Sequence, residues 1–192
     1  MYGGYPNAWP AKNLTNVSVY ANPGYRAVAA QVGLPGTPML YDYGGNVVAQ
    51  SNAVYVNGDS AGTTEEYANQ ASQIASTGQA DPDEDSKWMP LGVFAIVEGD
   101  QTTSDDIFQL AVNPQGLIRG NYHNVRNDQV INLGGAVDKK TQRAAWKIGD
   151  DKFPVYEAGI ANLTKDATPV YVHTDDGQSR QLTLIRLPQP AQ

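Results

Sequence analysis

The chain has 192 residues, a formal net charge of −7 and 17% charged residues, which suits one ordinary domain or a domain with an appendage. It contains no apolar run of the ~20 residues that a membrane helix needs, no cluster of Lys and Arg, and no Cys. These features argue against membrane insertion and nucleic-acid partners, and they exclude disulfides and thiol catalysis. Nothing in the sequence indicates a cofactor or a metal site.

The large aliphatic and Phe side chains are spread unevenly along the chain. Only 12 of the 39 precede Trp88, and the other 27 lie in residues 88–192. We therefore predict three regions. They are an extended arm rich in Tyr, Gly and Pro (residues 1–40), a hairpin with a helix and an acidic linker (41–87), and an antiparallel β-domain (88–192).

The predicted arm is nearly uncharged and poor in core-forming side chains. Such a segment cannot bury enough apolar surface by itself to offset the entropy lost on ordering. We expect it to dock on the barrel of another copy, either as an added strand or by laying aromatic side chains into a groove. The candidate docking residues are Tyr2, Tyr5, Trp9, Tyr20 and Tyr25. The predicted partners are accordingly other copies of the chain.

Local signals in the second region predict a hairpin and one short helix. Residues 46–50 and 53–56 flank Ser51-Asn52 and are typical of a hairpin. Thr63 and Glu66 form a capping-box pattern, and Gly78 supplies a stop, which predicts a helix over residues 64–77. Residues 81–85 are acidic and predict a solvated connector, because the glycine and glutamate of a calcium loop are missing.

Nine candidate strands follow Trp88, separated by strong turn formers. They cover residues 91–98, 106–113, 117–123, 129–137, 143–148, 153–158, 160–163, 170–174 and 181–187. The connections are too short for crossover helices, so the strands must be antiparallel. The predicted fold is mainly β, a small up-and-down antiparallel barrel or else a two-sheet sandwich. Ala144 and Trp146 alternate with Arg143 and Lys147, which predicts one buried face and one wet face.

A possible nucleophile motif lies before the helix. Residues 58–62 fit G-x-S-x-G with Ser60 as the nucleophile, and a later Asp and His173 would keep the order Ser, Asp, His. That motif belongs to parallel sheets with crossover helices, which the later strands do not predict. We interpret His123 and His173 as half-exposed strand residues rather than metal ligands.

Several carboxylates could supply a glycosidase pair, but their pattern is unspecific. We interpret them as turn or strand-end residues; they are Glu98, Asp100, Asp105, Asp106 and Glu157. Aromatic and aliphatic side chains after Trp88 could line a ligand pocket in the barrel mouth, or simply fill a small barrel.

The second half of the chain resembles an uncharacterised bacterial family. The matching runs include residues 88–95 (WMPLGVFA), 107–113, 116–122, 137–146, 155–160, 162–164 and 184–187, and the match reaches back to 41–44, 54–58 and the helix. Members of this family are labelled cell-surface or "mu-protocadherin-like" proteins. The resemblance implies export and a surface location, and it carries no known activity or catalytic residue. The opening residues themselves predict no signal peptide.

These observations favour a non-catalytic structural protein of the cell surface or extracellular space, assembling into a filament or matrix through its arm. The first alternative is a β-barrel that binds a small ligand, and a filled interior would argue against it. The second is a serine hydrolase that uses Ser60.

Overall fold

The computed structural model of the chain describes residues 19–78 and 87–188. A helix α1 (Tyr25–Val32) precedes a three-stranded sheet of β1 (Val47–Gln50), β2 (Ala53–Val56) and β3 (Asp59–Thr63), and α2 (Thr64–Thr77) follows. Eight further strands complete the fold: β4 (Met89–Val97), β5 (Asp106–Val112), β6 (Leu117–Asn124), β7 (Gln129–Asp138), β8 (Arg143–Ile148), β9 (Val155–Gly159), β10 (Ala167–His173) and β11 (Ser179–Arg186).

Strands β4 to β11 form a closed antiparallel barrel, in which each strand pairs with the next one along the chain. Pairing of β11 with β4 closes the barrel, with Ile185 opposite Ala95. The predicted mainly-β fold and the antiparallel barrel are confirmed. The strand predicted at residues 160–163 is wrong, because that segment contains a 3₁₀ turn at Asn162–Thr164.

Large side chains fill the interior of the barrel. Phe108 lies near its centre, with its ring centroid 5.0 Å from Tyr156, 5.6 Å from Tyr122 and 6.4 Å from Trp146. Phe94 and many buried aliphatic side chains surround these rings; Phe94, Phe108 and Trp146 are 0% exposed, whereas Tyr122 and Tyr156 are partly buried. A barrel of eight strands has an interior that side chains can fill, and this one is packed with them.

Helix α1 closes one end of the barrel. Its Val28 and Val32 belong to the same buried cluster as the interior residues, and Gly33 ends the helix at a φ of 76°. The Tyr25 hydroxyl donates to the carbonyl of Pro35 at 2.7 Å, and Tyr20 packs on the outer wall of β4 and β5. The prediction of an extended arm is therefore wrong over residues 25–32, because burial of Val28 and Val32 outweighs the flanking helix breakers.

Helix α2 covers the outer wall of the barrel at β7, β8 and β9. Its predicted range is confirmed, and so is its capping box. The backbone N–H of Glu66 donates to Thr63 Oγ1 at 3.1 Å, and that of Thr63 donates to Glu66 Oε2 at 2.7 Å. Because α2 lies on this wall, Arg143 and Lys147 are only 3% and 6% exposed. The wet face predicted for β8 is therefore wrong.

The three-stranded sheet packs beside α2 and contains the predicted hairpin, β1 and β2. Its core joins Tyr41, Tyr43, Val47, Val54 and Tyr67. The Tyr43 ring stacks on Tyr171 of the barrel wall at 4.6 Å. The predicted acidic connector at residues 81–85 lies outside the described residues.

Candidate functional site

The most unusual chemistry of the described residues is a group of charged and polar side chains buried between the barrel wall and α2. We call it the Glu157 cluster: Glu157, Arg143, His173, Tyr43 and Tyr67. Glu157 is 0% exposed. Its Oε1 accepts from Tyr67 Oη at 2.9 Å, Tyr43 Oη at 3.1 Å and Arg143 Nε at 2.9 Å. Its Oε2 contacts Arg143 Nη2 at 2.8 Å and His173 Nε2 at 2.9 Å.

Three neighbouring strands, one helix and the segment before β1, which supplies Tyr43, bring these side chains together. Arg143 begins β8, Glu157 lies within β9 and His173 ends β10, all on the outer wall of the barrel. Tyr67 comes from the first turns of α2. Arg143 extends the cluster by donating to Gln70 Oε1 at 2.7 Å and to the Tyr67 carbonyl at 3.1 Å. The cluster therefore attaches α2 to the barrel.

The charges of the cluster stabilise one another. Burial by itself would raise the pKa of Glu157, but the charge of Arg143 and the hydrogen bonds from His173 and Arg143 outweigh it and lower that pKa to about 2. Burial, reinforced by the carboxylate of Glu157, raises the pKa of both Tyr43 and Tyr67 above the ordinary value of 10. At neutral pH the cluster thus holds an ionised Glu157 and two neutral tyrosine donors.

This arrangement leaves Glu157 no room for a substrate. Five donors already surround its two oxygens. Since an ionised carboxylate only accepts hydrogen bonds, His173 Nε2 carries a proton, while its Nδ1 lies 2.7 Å from Ser179 Oγ. A base that is saturated and closed to solvent is suited to holding elements together, not to proton transfer.

Two interpretations of these residues are wrong. His173 is 1% exposed rather than half-exposed, and Glu157 is not a strand-end carboxylate. A signal for the cluster was present in the sequence: Glu157 interrupts an otherwise apolar strand, between Val155 and Ala158. Its partners come from distant parts of the chain, so no local spacing could have assembled them.

Ser60 lies exposed on β3, where its backbone pairs with Tyr55. His173 uses one ring nitrogen on Glu157 and the other on Ser179, so it is not available to activate Ser60. His123 lies on β6 with its Nε2 3.0 Å from Asp128 Oδ1. Within residues 19–78 and 87–188, no three His, Asp or Glu side chains are grouped so that they could hold a metal ion.

The end of the barrel opposite α1 is formed by four connections, residues 98–105, 125–128, 149–154 and 174–178. We call it the open end. Its connections carry eight acidic and two basic side chains: Glu98, Asp100, Asp105, Asp128, Asp150, Asp151, Asp175 and Asp176 against Arg126 and Lys152. Four of the carboxylates predicted at turns or strand ends, Glu98, Asp100, Asp105 and Asp106, lie here.

A first cavity at the open end has a volume of about 570 Å³ and is lined by eight side chains, all of hydrogen-bonding types. Asp106 Oδ1 accepts from Tyr122 Oη at 2.6 Å and from Asn124 Nδ2 at 2.8 Å. Asp105 pairs with Arg126, whose Nη2 lies 2.5 Å from Asp105 Oδ2. The polar groups of this cavity are therefore held in place by one another.

A second cavity of about 530 Å³ lies on the other half of the same rim. Tyr156, Phe153 and Val172 give it an apolar wall, and Arg180 is among its polar residues. The Tyr156 ring packs 6.1 Å from Trp146, nearly parallel to it. Burial, together with Tyr122 and Asp106, raises the pKa of Tyr156 to about 12, so its hydroxyl is a neutral donor.

The predicted docking residues divide between two parts of the chain. Tyr2, Tyr5 and Trp9 lie outside the described residues, whereas Tyr20 and Tyr25 pack on the chain's own barrel. Among the helices of the described ranges, none is both long enough and apolar enough to cross a membrane.

We compared the chain with protein-family models, with curated proteins and with solved structures, and none of the three comparisons found a match. The function must therefore be argued from the geometry of the chain itself.

Proposed function

We propose that the chain is a non-catalytic structural protein of the cell surface or extracellular space, which assembles with other copies of itself. One observation carries the non-catalytic part. The protein's own side chains occupy both the interior of the barrel and the hydrogen-bonding positions of Glu157. A catalytic site needs a reactive group that a substrate can reach, and neither place offers one.

The contacts of the Glu157 cluster support a mechanical role for the fold. Arg143 binds the carboxylate of β9, the carbonyl of Tyr67 and the side chain of Gln70, so one side chain joins two barrel strands to α2. Paired and buried charges of this kind are costly to separate. Tyr43, in the core of the small sheet, binds the same carboxylate, so the helix and the small sheet are both held to the barrel, as a building block requires.

Assembly is proposed to depend on residues 1–18. This part of the sequence has three aromatic side chains, Tyr2, Tyr5 and Trp9, and Lys12 is its only charged side chain. Residues 19–40 are less suitable for docking elsewhere, because Tyr20 and Tyr25 already contact the same chain's barrel. The surface location rests on the family resemblance of residues 88–187 alone.

The assembly proposal is tested by measuring the particle mass of the full chain and of a variant that lacks residues 1–18, using light scattering. This deletion keeps α1, so the closed end of the barrel stays intact. We expect the full chain to form larger particles than the variant. A matched variant, Tyr2→Ser with Tyr5→Ser and Trp9→Ser, keeps the chain length and should also fail to assemble. Equal masses for all three proteins would refute the proposal.

The location is tested separately in the source cells. An antibody against the purified protein should label intact cells or their extracellular material. Labelling that appears only after the cells are made permeable would refute the surface location.

A further inference from the structure

The two ends of the barrel are built differently. Val28 and Val32 of α1 close one end with apolar side chains, whereas the open end carries two cavities of about 570 and 530 Å³. Both volumes fall in the range of ~300–1,000 Å³ that is usual for small-molecule sites. Nothing in the proposed structural role explains why one end should be shaped in this way.

One ring of the barrel interior, Phe108, contacts an aromatic side chain at each of the two cavities. The Phe108 ring centroid is 5.6 Å from Tyr122, whose hydroxyl binds Asp106 in the first cavity. The same centroid is 5.0 Å from Tyr156, which lines the second cavity. One extended ligand could therefore contact both.

Polar groups remain free in both cavities. Asp106 uses Oδ1 for Tyr122 and Asn124, and its Oδ2 makes no hydrogen bond with a described residue. The Tyr156 hydroxyl likewise has no hydrogen-bond partner within residues 19–78 and 87–188. A fixed acceptor and a fixed donor are thus available at the ends of rigidly packed side chains.

The charges that line the cavities nearly balance, although the whole rim is acidic. The lining of the two cavities contains four carboxylates and three cations. They are Asp105, Asp106, Asp151 and Asp175, and Arg126, Lys152 and Arg180. The remaining acidic residues of the rim, such as Asp100 and Asp128, line neither cavity. This balance favours a neutral ligand over a strongly charged one.

The types of side chain that line the cavities narrow the class of ligand further. The first cavity has no apolar side chain in its lining, which disfavours an apolar ligand. Planar carboxylate, amide and guanidinium groups can each bind more than one hydroxyl, and an aromatic face accepts the C–H face of a sugar ring. We propose that the open end of the barrel binds a neutral carbohydrate chain, with one sugar against Tyr156 and the hydroxyls of another held by Asp106.

The proposal is tested by recording amide nuclear magnetic resonance spectra of the ¹⁵N-labelled full chain. Tetrasaccharides of glucose, N-acetylglucosamine, mannose and galactose are added in turn. At least one of them should shift the resonances of Asp106, Asn124 and Tyr156. Asp106→Asn and Tyr156→Phe, which keep the size of each side chain, should each weaken binding by about tenfold, as the loss of a good hydrogen bond does.

Asp100→Asn is the matched control, because it removes a carboxylate of the same rim that lines neither cavity. It should leave binding unchanged. The proposal is overturned if no sugar shifts these resonances, if Asp100→Asn weakens binding as much as Asp106→Asn, or if spermine produces the shifts and the sugars do not. Assembly is judged only from particle mass, so failure of either proposal leaves the other standing.

Discussion

Replacing Glu157 with Gln tests whether the Glu157 cluster stabilises the fold. The substitution keeps the size and shape of the side chain but removes its charge. Arg143, whose side chain is 4% exposed, then has no counter-charge at that position and little access to water. Breaking a buried ion pair by removing one partner costs about 3–5 kcal/mol. We expect Glu157→Gln to lower the free energy of unfolding by that amount.

The measurement is urea unfolding of the full chain and of each variant, followed by tryptophan fluorescence and far-ultraviolet circular dichroism. Coincidence of the two signals checks that unfolding is two-state. Asp105→Asn provides a matched control, because it breaks an exposed ion pair with Arg126. The side chains of that pair are 43% and 82% exposed. Such pairs contribute about 0.2–1 kcal/mol, so the control should change stability little.

A second variant separates charge from packing. Arg143→Met in the Glu157→Gln background removes the unpaired cation, so the double variant should be more stable than the sum of the two single changes predicts. The reasoning would be refuted if Glu157→Gln cost no more than Asp105→Asn. It would also fail if the two changes were simply additive.

Three other perturbations probe separate features of the fold. The pKa of Glu157 falls from its ordinary 4.5 to about 2 on folding. Its contribution to the free energy of unfolding, about 3 kcal/mol, should therefore be complete above pH 4.5 and lost as the pH falls towards 2. Urea unfolding of Glu157→Gln across that range should lack this loss. Thr63→Ala removes the cap of α2 and should lower the free energy of unfolding by about 1 kcal/mol, with an unchanged urea slope. Gly120→Ala would place a Cβ against the carbonyl oxygen of Gln109 and should lower the melting temperature strongly, whereas Gly36→Ala, with open space around it, should change it little. A cooperative, wild-type-like melting curve for Gly120→Ala would contradict that packing.

The elements that the sequence predicts well are those decided by nearby residues. Helix α2 is bounded by Thr63 and Gly78, whose effects reach only one turn, and its range agrees with the structure. The hairpin and most barrel strands likewise follow from alternation and turn residues. Helix α1 escapes prediction because it has only eight residues and no side-chain cap. It is stabilised by the apolar surface that Val28 and Val32 bury at the end of the barrel that α1 closes.

The candidate sites are less predictable than the strands, because they too depend on contacts between residues that are far apart in the sequence. Glu157 is bound by residues 14, 16, 90 and 114 positions away in the sequence. Its environment depends on where α2 docks, and no single-strand pattern fixes that. The open end could be anticipated in part, since four predicted turns of an antiparallel barrel must share one end. Its cavities depend on how the side chains of those turns fold over the rim.

The closure of the barrel by α1 has a consequence for the order of events during synthesis. Arg186 donates to the carbonyl of Ala21, just before α1, although 165 residues separate them. The same guanidinium donates to the carbonyl of Leu91, which lies on β4, the strand that pairs with β11. The segment that leads into α1 therefore cannot make these contacts until β11 has left the ribosome. The segment made first is among the last that can reach its native contacts.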